Sequence, residues 1–213
     1  MNRLIISFGL CGALLYNNWL LGYWLNSRVT IGSLASDLQI HSQPYSWIFI
    51  LGDILSGLMI AITAYLIYRL WQPYDRLKLY LLIGYLCFGV FTAAAAIMPI
   101  HCGANSVQCA LSSNQTFGIH DIVGALASFG QFISLITLWR LSVNIKKPSW
   151  FKWLMLGFLL LWSLAGIVFL ILTFQRLDEV AMQHVFLIFT FLGLVPIPLS
   201  VRFIKANHQL GSV

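Results

Sequence analysis

The chain has 213 residues, of which 60% are hydrophobic and only 8% are charged. A soluble domain carries about 25% charged residues, so this composition excludes an ordinary soluble protein and indicates an integral membrane protein. The formal net charge is +6, but 18 charged side chains in all (12 Lys/Arg and 6 Asp/Glu) are too few to build a nucleic-acid-binding face, which excludes that class of partner.

Six apolar segments are long enough to cross a bilayer, which takes about 20 helical residues. Lipid permits only helices or closed barrels, and strands of this length are not credible, so we predict an all-α bundle of six membrane-spanning helices in one domain, residues 1–213. The predicted spans lie near residues 4–26, 47–70, 78–100, 119–140, 152–174 and 181–203. The first segment lacks an A-x-A-like cleavage site, so we interpret it as a retained helix rather than a signal peptide.

The basic residues predict the orientation of the bundle. Ten of them fall at one set of span ends: Arg3, Arg69, Arg76, Lys78, Arg140, Lys146, Lys147, Lys152, Arg202 and Lys205. Only Arg28 and Arg176 fall at the other set. The positive-inside rule therefore predicts that both termini are cytoplasmic and that the segments 27–46, 101–118 and 175–180 face outward. We expect a bacterial inner membrane.

The four cysteines divide into two pairs. Cys102 and Cys109 share the second predicted outer loop, HCGANSVQC, where an oxidising compartment would allow a disulfide. A metal or redox pair is the alternative for this C-x6-C pattern. Cys11 and Cys87 fall inside predicted spans and are interpreted as buried apolar fillers.

Ionisable residues within the predicted spans are functional-site hypotheses, because removing them from water is costly. Asp53 follows Trp47 by six residues and lies about 9 Å inside the second span. His184 lies about one turn inside the last span. His120 and Asp121 open the fourth span, where Asp121 could instead complement the helix dipole and His120 could bond a loop carbonyl.

Helical spacing suggests that these groups face one another. His120, Gly124, Ser128 and Gln131 fall on one face of the fourth span, and Gly124 and Ser128 form a small-xxx-small pair that predicts a close helix contact. Asn17 and Asn18 lie about two turns inside the first span. We therefore predict a polar cavity, open to the outer side, between the first, second, fourth and sixth spans.

Several short segments carry a resemblance to a known family. They are Ser36-Asp37-Leu38, Gly52 to Gly57, Met98-Pro99, His120 and Gln183. As a set, with the six-span layout, they resemble a prokaryotic membrane family of unknown function, DUF998. The likeness covers nearly the whole chain, although His184 stands where that family tends to have Arg. It implies the six-helix fold and no particular activity.

The main functional hypothesis is a pocket that binds a lipid or small amphiphile, in a binding, sensing or accessory role. Asp53 and His120 would form a titratable pair, because His changes charge near physiological pH. The chain lacks the matched broken helices of an inverted-repeat transporter, which disfavours active transport. The predicted ligand-binding residues are Asn17, Asn18, Ser36, Asp37, Asp53, His120, Asp121, Gln183 and His184.

A metal-dependent hydrolase acting on a lipid or amide substrate is the second hypothesis. Asp53, His120 and His184 would hold zinc and would be the candidate catalytic residues, with Asp121 orienting an imidazole. Zinc lowers the pKa of a bound water to about 7, which is what hydrolysis requires. A purely structural role, in which the polar groups satisfy one another, is the third hypothesis.

Overall fold

The computed structural model describes residues 2–26, 34–40, 43–70, 75–98, 119–144, 149–175 and 180–200, which are helical apart from short turns. The helices are α1 (Asn2–Leu15), α2 (Trp19–Leu25), α3 (Ser46–Leu70), α4 (Arg76–Ile97), α5 (Ile119–Asn144), α6 (Ser149–Gln175) and α7 (Val180–Leu194). A 3-10 helix, Ala35–Gln39, lies between α2 and α3. These residues contain no strand, and the all-α prediction is confirmed.

Five segments are long and apolar enough to cross a membrane: α3, α4, residues 119–143 of α5, residues 150–173 of α6, and residues 180–200. The last of these continues past α7 after a turn at Val195, the residue before Pro196, where proline disfavours helical backbone. Helices α1 and α2 together form a sixth span if the bent pair crosses as one unit. The structure thus has the predicted number of spans when that pair is counted as one.

The first span is not the continuous helix that the sequence predicts, because α1 and α2 meet at a bend of 46°. At the junction the backbone N–H groups of Asn17 and Asn18 donate to Leu14 and Leu15, three residues back rather than four. The Asn17 side chain also donates to the Ala13 carbonyl at 3.4 Å. Asparagine side chains form local hydrogen bonds that compete with the regular backbone bonds of a helix, which explains the break at this point. The apolar pattern of the sequence does not reveal it.

The spans pack mainly in chain order. Helix α3 lies between α1 and α4, and α4 lies between α3 and α5. Helix α7 packs against α6 and also contacts α5 and α1. Gly9, in the middle of α1, lies against Pro198, near the end of the last span. The first and last spans therefore meet, which brings the start of the chain to the neighbourhood of α7.

The described basic residues gather at one end of the bundle. They lie at the starts of α1, α4 and α6 and near the ends of α3 and α5: Arg3, Arg69, Arg76, Lys78, Arg140 and Lys152. We call this the basic end. Asp75 caps α4 there, since its carboxylate accepts from the backbone N–H of Lys78 at 2.8 Å.

Glycine pairs bring the backbones of α3, α4 and α5 into direct contact. A Cβ added to Gly57 would lie 2.3 Å from the Gly89 carbonyl oxygen, and one added to Gly89 would lie 2.6 Å from that of Gly57. Gly84 and Gly130 make the same kind of contact between α4 and α5, at 2.7 Å. Small residues allow helices to approach this closely in membranes, where packing replaces the hydrophobic effect.

The close contact predicted for Gly124 and Ser128 is wrong. A Cβ on Gly124 would meet nothing within 4 Å, and the Ser128 hydroxyl donates to the Gly124 carbonyl of its own helix at 3.0 Å. The glycine that does face α4 is Gly130. It lies six residues further along, which is about 240° around the helix, so the two glycines occupy different faces.

The bundle buries its core and exposes apolar side chains outward. Ile60, Tyr85 and Leu194 are fully buried, whereas Leu160 and Leu164 on α6 are about 60% exposed. An apolar outer surface matches a lipid environment. Cys11 is exposed, so its interpretation as a buried filler is wrong. The predicted disulfide between Cys102 and Cys109 lies outside the described residues.

We predict that Gly57→Ala lowers the free energy of unfolding by about 1–3 kcal/mol, because a backbone carbonyl cannot move aside for the new methyl group. Gly124→Ala is the matched control: its methyl group meets open space, and replacing a helical glycine is worth up to about 1 kcal/mol of added stability. Unfolding of the purified protein in mixed micelles with rising denaturing detergent measures both. Equal stability of the two variants would contradict the Gly57–Gly89 contact.

Candidate functional site

The side chain of Asn18, at the junction of α1 and α2, reaches across to α3. Its Nδ2 donates to the Phe49 carbonyl at 3.1 Å and to Asp53 Oδ1 at 3.0 Å. Asn18 is 7% exposed. A Cβ on Gly52 would lie only 2.0 Å from Asn18 Nδ2, so glycine at this position leaves the space that the amide occupies. The junction is therefore fastened to α3 by a buried amide.

Asp53 receives a second donor from the 3-10 helix. Its Oδ2 accepts a short hydrogen bond from the Gln39 side-chain amide, while its Oδ1 accepts from Asn18. Both donors are neutral amides. Within the described part of the chain, no Lys, Arg or His side chain forms an ion pair with Asp53. The carboxylate thus joins three chain segments through neutral donors.

An aromatic group on α2 contacts His184 at the start of α7. The Tyr23 hydroxyl and His184 Nε2 share a short hydrogen bond, in which the imidazole tautomer decides which atom donates. The Trp19 ring lies over His184 with 5.0 Å between ring centroids. Trp19 and Tyr23 are four residues apart on α2 and therefore share a face. That face packs against α7.

The 3-10 helix is attached to α7 as well as to α3. Gln183 Oε1 accepts from the Ala35 backbone N–H at 2.7 Å. Asp37, on the same short helix, is 6% exposed and lies close enough to Tyr23 for an electrostatic interaction. Ser36 is partly exposed beside it. A buried apolar cluster of Trp19, Ala35, Leu38 and Phe49 fills the space beneath.

These contacts define what we call the polar cluster: Asn18, Gln39, Asp53, Gln183 and His184, with Trp19 and Tyr23 as its aromatic members. It lies at the end of the bundle opposite the basic end, where α2 ends and α3 and α7 begin. Of the residues predicted from the sequence, the structure brings together Asn18, Ser36, Asp37, Asp53, Gln183 and His184 on three spans and the 3-10 helix.

The other predicted site residues have different surroundings. His120 Nδ1 is 3.0 Å from the Ala95 carbonyl at the end of α4. A bond to a loop carbonyl is the alternative that the sequence suggests for this histidine; the carbonyl that it contacts belongs to a helix. Asp121 is exposed on the first turn of α5, and Asn17 bonds within α1. No hydrogen bond or ion pair joins Asp53 to His120 in the described ranges, so each has its own partners.

The three residues predicted to hold zinc are likewise not gathered at one point. Among the residues that the structure describes, no group of three or more His, Cys, Asp or Glu side chains could hold a metal ion. His184 uses Nε2 for Tyr23, and both oxygens of Asp53 accept from amides. The structure therefore provides no described ligand set for the hydrolase hypothesis.

Sequence reasoning missed three members of the cluster. Trp19 carries no ionisable group that would single it out in the sequence, yet it is 6% exposed and packs on His184. Tyr23 lies four residues after Trp19, a spacing that identifies it only once Trp19 is known to face the cluster. Gln39 lies in a predicted loop, and no local pattern marks it. Its role depends on where the 3-10 helix lies, which is a property of the tertiary structure.

A second set of buried polar groups lies between α5, α6 and α7. The Trp162 indole donates to the Thr190 hydroxyl at 2.9 Å, and that hydroxyl donates to the Phe186 carbonyl. Gln131, from the predicted polar face of α5, is fully buried with its Nε2 3.5 Å from the Thr190 carbonyl. These interactions tie α7 to α5 and α6.

Fold and cluster together define the class: a polytopic α-helical membrane protein with ionisable residues held between its spans. A family model described as "Protein of unknown function (DUF998)" matches residues 10–197. The chain therefore belongs to the DUF998 family, and the resemblance seen in its sequence is confirmed. The match includes both the α1–α2 junction and the start of α7. No curated protein and no solved structure matches the chain.

We predict that the Asn18–Asp53 hydrogen bond contributes measurable coupling. In a double-mutant cycle of Asn18→Ala and Asp53→Ala, the expected coupling is about 0.6 kcal/mol, and up to about 1.7 kcal/mol, the range found for polar pairs between membrane helices. Unfolding in mixed micelles gives the four free energies.

The control cycle pairs Asn18→Ala with Asp75→Ala at the basic end, where the two changes should be additive because the sites share no partner. Equal coupling in both cycles would show that the Asn18–Asp53 bond does not form.

Proposed function

We propose that this protein binds a lipid or small amphiphile at the polar cluster, in a binding, sensing or accessory role. One observation carries the proposal, a set of hydrogen bonds at one end of the bundle. Asp53 accepts from Asn18 at the α1–α2 junction and from Gln39 on the 3-10 helix. On α7, His184 bonds Tyr23 of α2 and Gln183 accepts from the 3-10 helix. Buried polar groups in a membrane protein face the interior and often mark a site for a ligand.

The surroundings of the cluster suit an amphiphile in particular. Amide, carboxylate, imidazole and phenol groups offer donors and acceptors to a polar head group. Apolar side chains lie directly beside them, in the cluster that includes Leu38 and Phe49. Leu20 and Leu21 on α2 expose half or more of their surface, so the outer face of this region is apolar. A molecule with a polar head and an apolar tail complements both surfaces.

We infer that the cluster faces away from the cytoplasm. The polar cluster lies at the end opposite the basic end, and the positive-inside rule assigns basic ends to the cytoplasm. In a bacterial inner membrane, with both termini cytoplasmic, the cluster would meet lipids of the outer leaflet or molecules arriving from outside. Accessibility labelling of single cysteines introduced at Trp24 and Arg69 in intact cells tests this orientation.

We predict that a lipid or amphiphile is retained by the purified protein and that the polar cluster holds it. His184→Phe keeps a ring beside Trp19 and removes the nitrogen that bonds Tyr23, so the retained amount should fall about fivefold or more, as a loss of about 1 kcal/mol implies. Native mass spectrometry of the protein released from detergent measures the bound molecule and its stoichiometry.

His120→Phe is the matched control, because it removes a histidine near the start of another span without touching the polar cluster. It should retain the ligand at the wild-type level. A ligand held equally by both variants binds elsewhere and contradicts the proposal. A wild-type protein with no retained molecule, and no uptake from added lipid, favours the structural role instead.

A further inference from the structure

The orientation of the Asn18 amide indicates whether Asp53 donates or accepts in their hydrogen bond. Asn18 Nδ2 bonds two acceptors, and one of them, the Phe49 carbonyl, can only accept. The group that Asn18 presents to Asp53 is therefore its NH₂ donor. Gln39 presents its amide nitrogen to the second carboxylate oxygen. Each oxygen of Asp53 thus acts as an acceptor, the arrangement that an ionised carboxylate favours.

A nearby cation stabilises an ionised carboxylate on a membrane-spanning helix. Two amide donors occupy about half of the roughly four lone-pair positions that a carboxylate offers. Charges within membrane proteins are paired with one another or with a charged ligand. The described residues supply no cation for Asp53, and the described Lys and Arg side chains lie at the basic end. A ligand with a positive charge would supply the partner that the described residues do not.

Trp19 supplies a hydrogen-bond donor that needs an acceptor. Its indole Nε1 is buried and has no hydrogen-bond partner among the described residues. A buried donor without an acceptor costs about 1–3 kcal/mol, which a ligand acceptor would recover. Trp19 packs in the same buried cluster as Phe49, and Asn18 binds the carbonyl of Phe49 as well as Asp53. We therefore assign the Trp19 donor to the same site as Asp53. The faces of Trp19 and Tyr23 also favour a nearby cation.

We propose that the amphiphile bound here carries an ammonium group that pairs with Asp53, together with an acceptor oxygen for the Trp19 N–H. This inference rests on the proposed function and specifies the chemistry of its ligand. A phosphoethanolamine head group has both features, since its ammonium and its phosphate oxygens are separated by two carbons. A phosphoglycerol head group has the phosphate and lacks the cation.

The test uses the full-length protein in mixed micelles that contain phosphatidylethanolamine and phosphatidylglycerol in equal amounts with identical acyl chains. Native mass spectrometry reports the ratio of the two bound lipids. We expect about a tenfold preference for phosphatidylethanolamine, which is what about 1.4 kcal/mol of added interaction gives. Because this arm needs only the wild-type protein, it does not depend on whether any variant folds.

Three variants test the role of the charge. Asp53→Asn keeps the size and removes the charge, and it should abolish the preference without abolishing lipid binding. Asp53→Glu should retain most of it, and Asp75→Asn at the basic end should retain all of it. Trp19→Phe, which keeps a ring and removes the N–H, should weaken binding of both lipids, since both carry phosphate.

The outcomes separate the two proposals. If the wild-type protein retains neither lipid and no other amphiphile, the proposed function fails. If both lipids bind equally to the wild-type protein at a site that His184→Phe weakens, the proposed function stands and the ammonium inference is overturned. In that case Asp53 is neutralised within the chain. A preference that persists in Asp53→Asn overturns the inference as well.

Discussion

The hydrogen bonds made by Asn18 are the interaction on which the rest of the site depends. The amide fastens the α1–α2 junction to α3, one turn of which supplies both the Phe49 carbonyl and the Asp53 carboxylate. This attachment accompanies the 46° bend that directs α2 away from the line of α1. Trp19 and Tyr23 follow immediately on α2 and reach His184 from there.

The helices and their approximate bounds could be predicted because a bilayer imposes a single requirement, an apolar segment of sufficient length. That requirement says nothing about contacts between the spans. The break at residues 16–18 was missed because Tyr16 to Asn18 interrupt hydrophobicity too briefly to alter an average. The small-xxx-small spacing indicated Gly124 and Ser128, and only the packing shows that Gly130 is the glycine that faces α4.

The site was predictable to the extent that burial of charge is costly. That rule selected Asp53 and His184, which do belong to the polar cluster. The same rule selected His120, which instead lies against the Ala95 carbonyl at the end of α4. Sequence cannot distinguish a histidine that bonds a neighbouring helix end from one that faces a site. Gln39 was beyond prediction because a neutral side chain in a loop carries no such cost.

The two attachments of the 3-10 helix have a mechanical consequence. One end of this short segment is tied to α7 through Ala35 and Gln183, and the other is tied to α3 through Gln39 and Asp53. It therefore acts as a crosslink between two spans that are far apart in the chain. A change that breaks the Gln39–Asp53 hydrogen bond would free the 3-10 helix from its polar contact with α3 and leave it attached to α7 through Gln183.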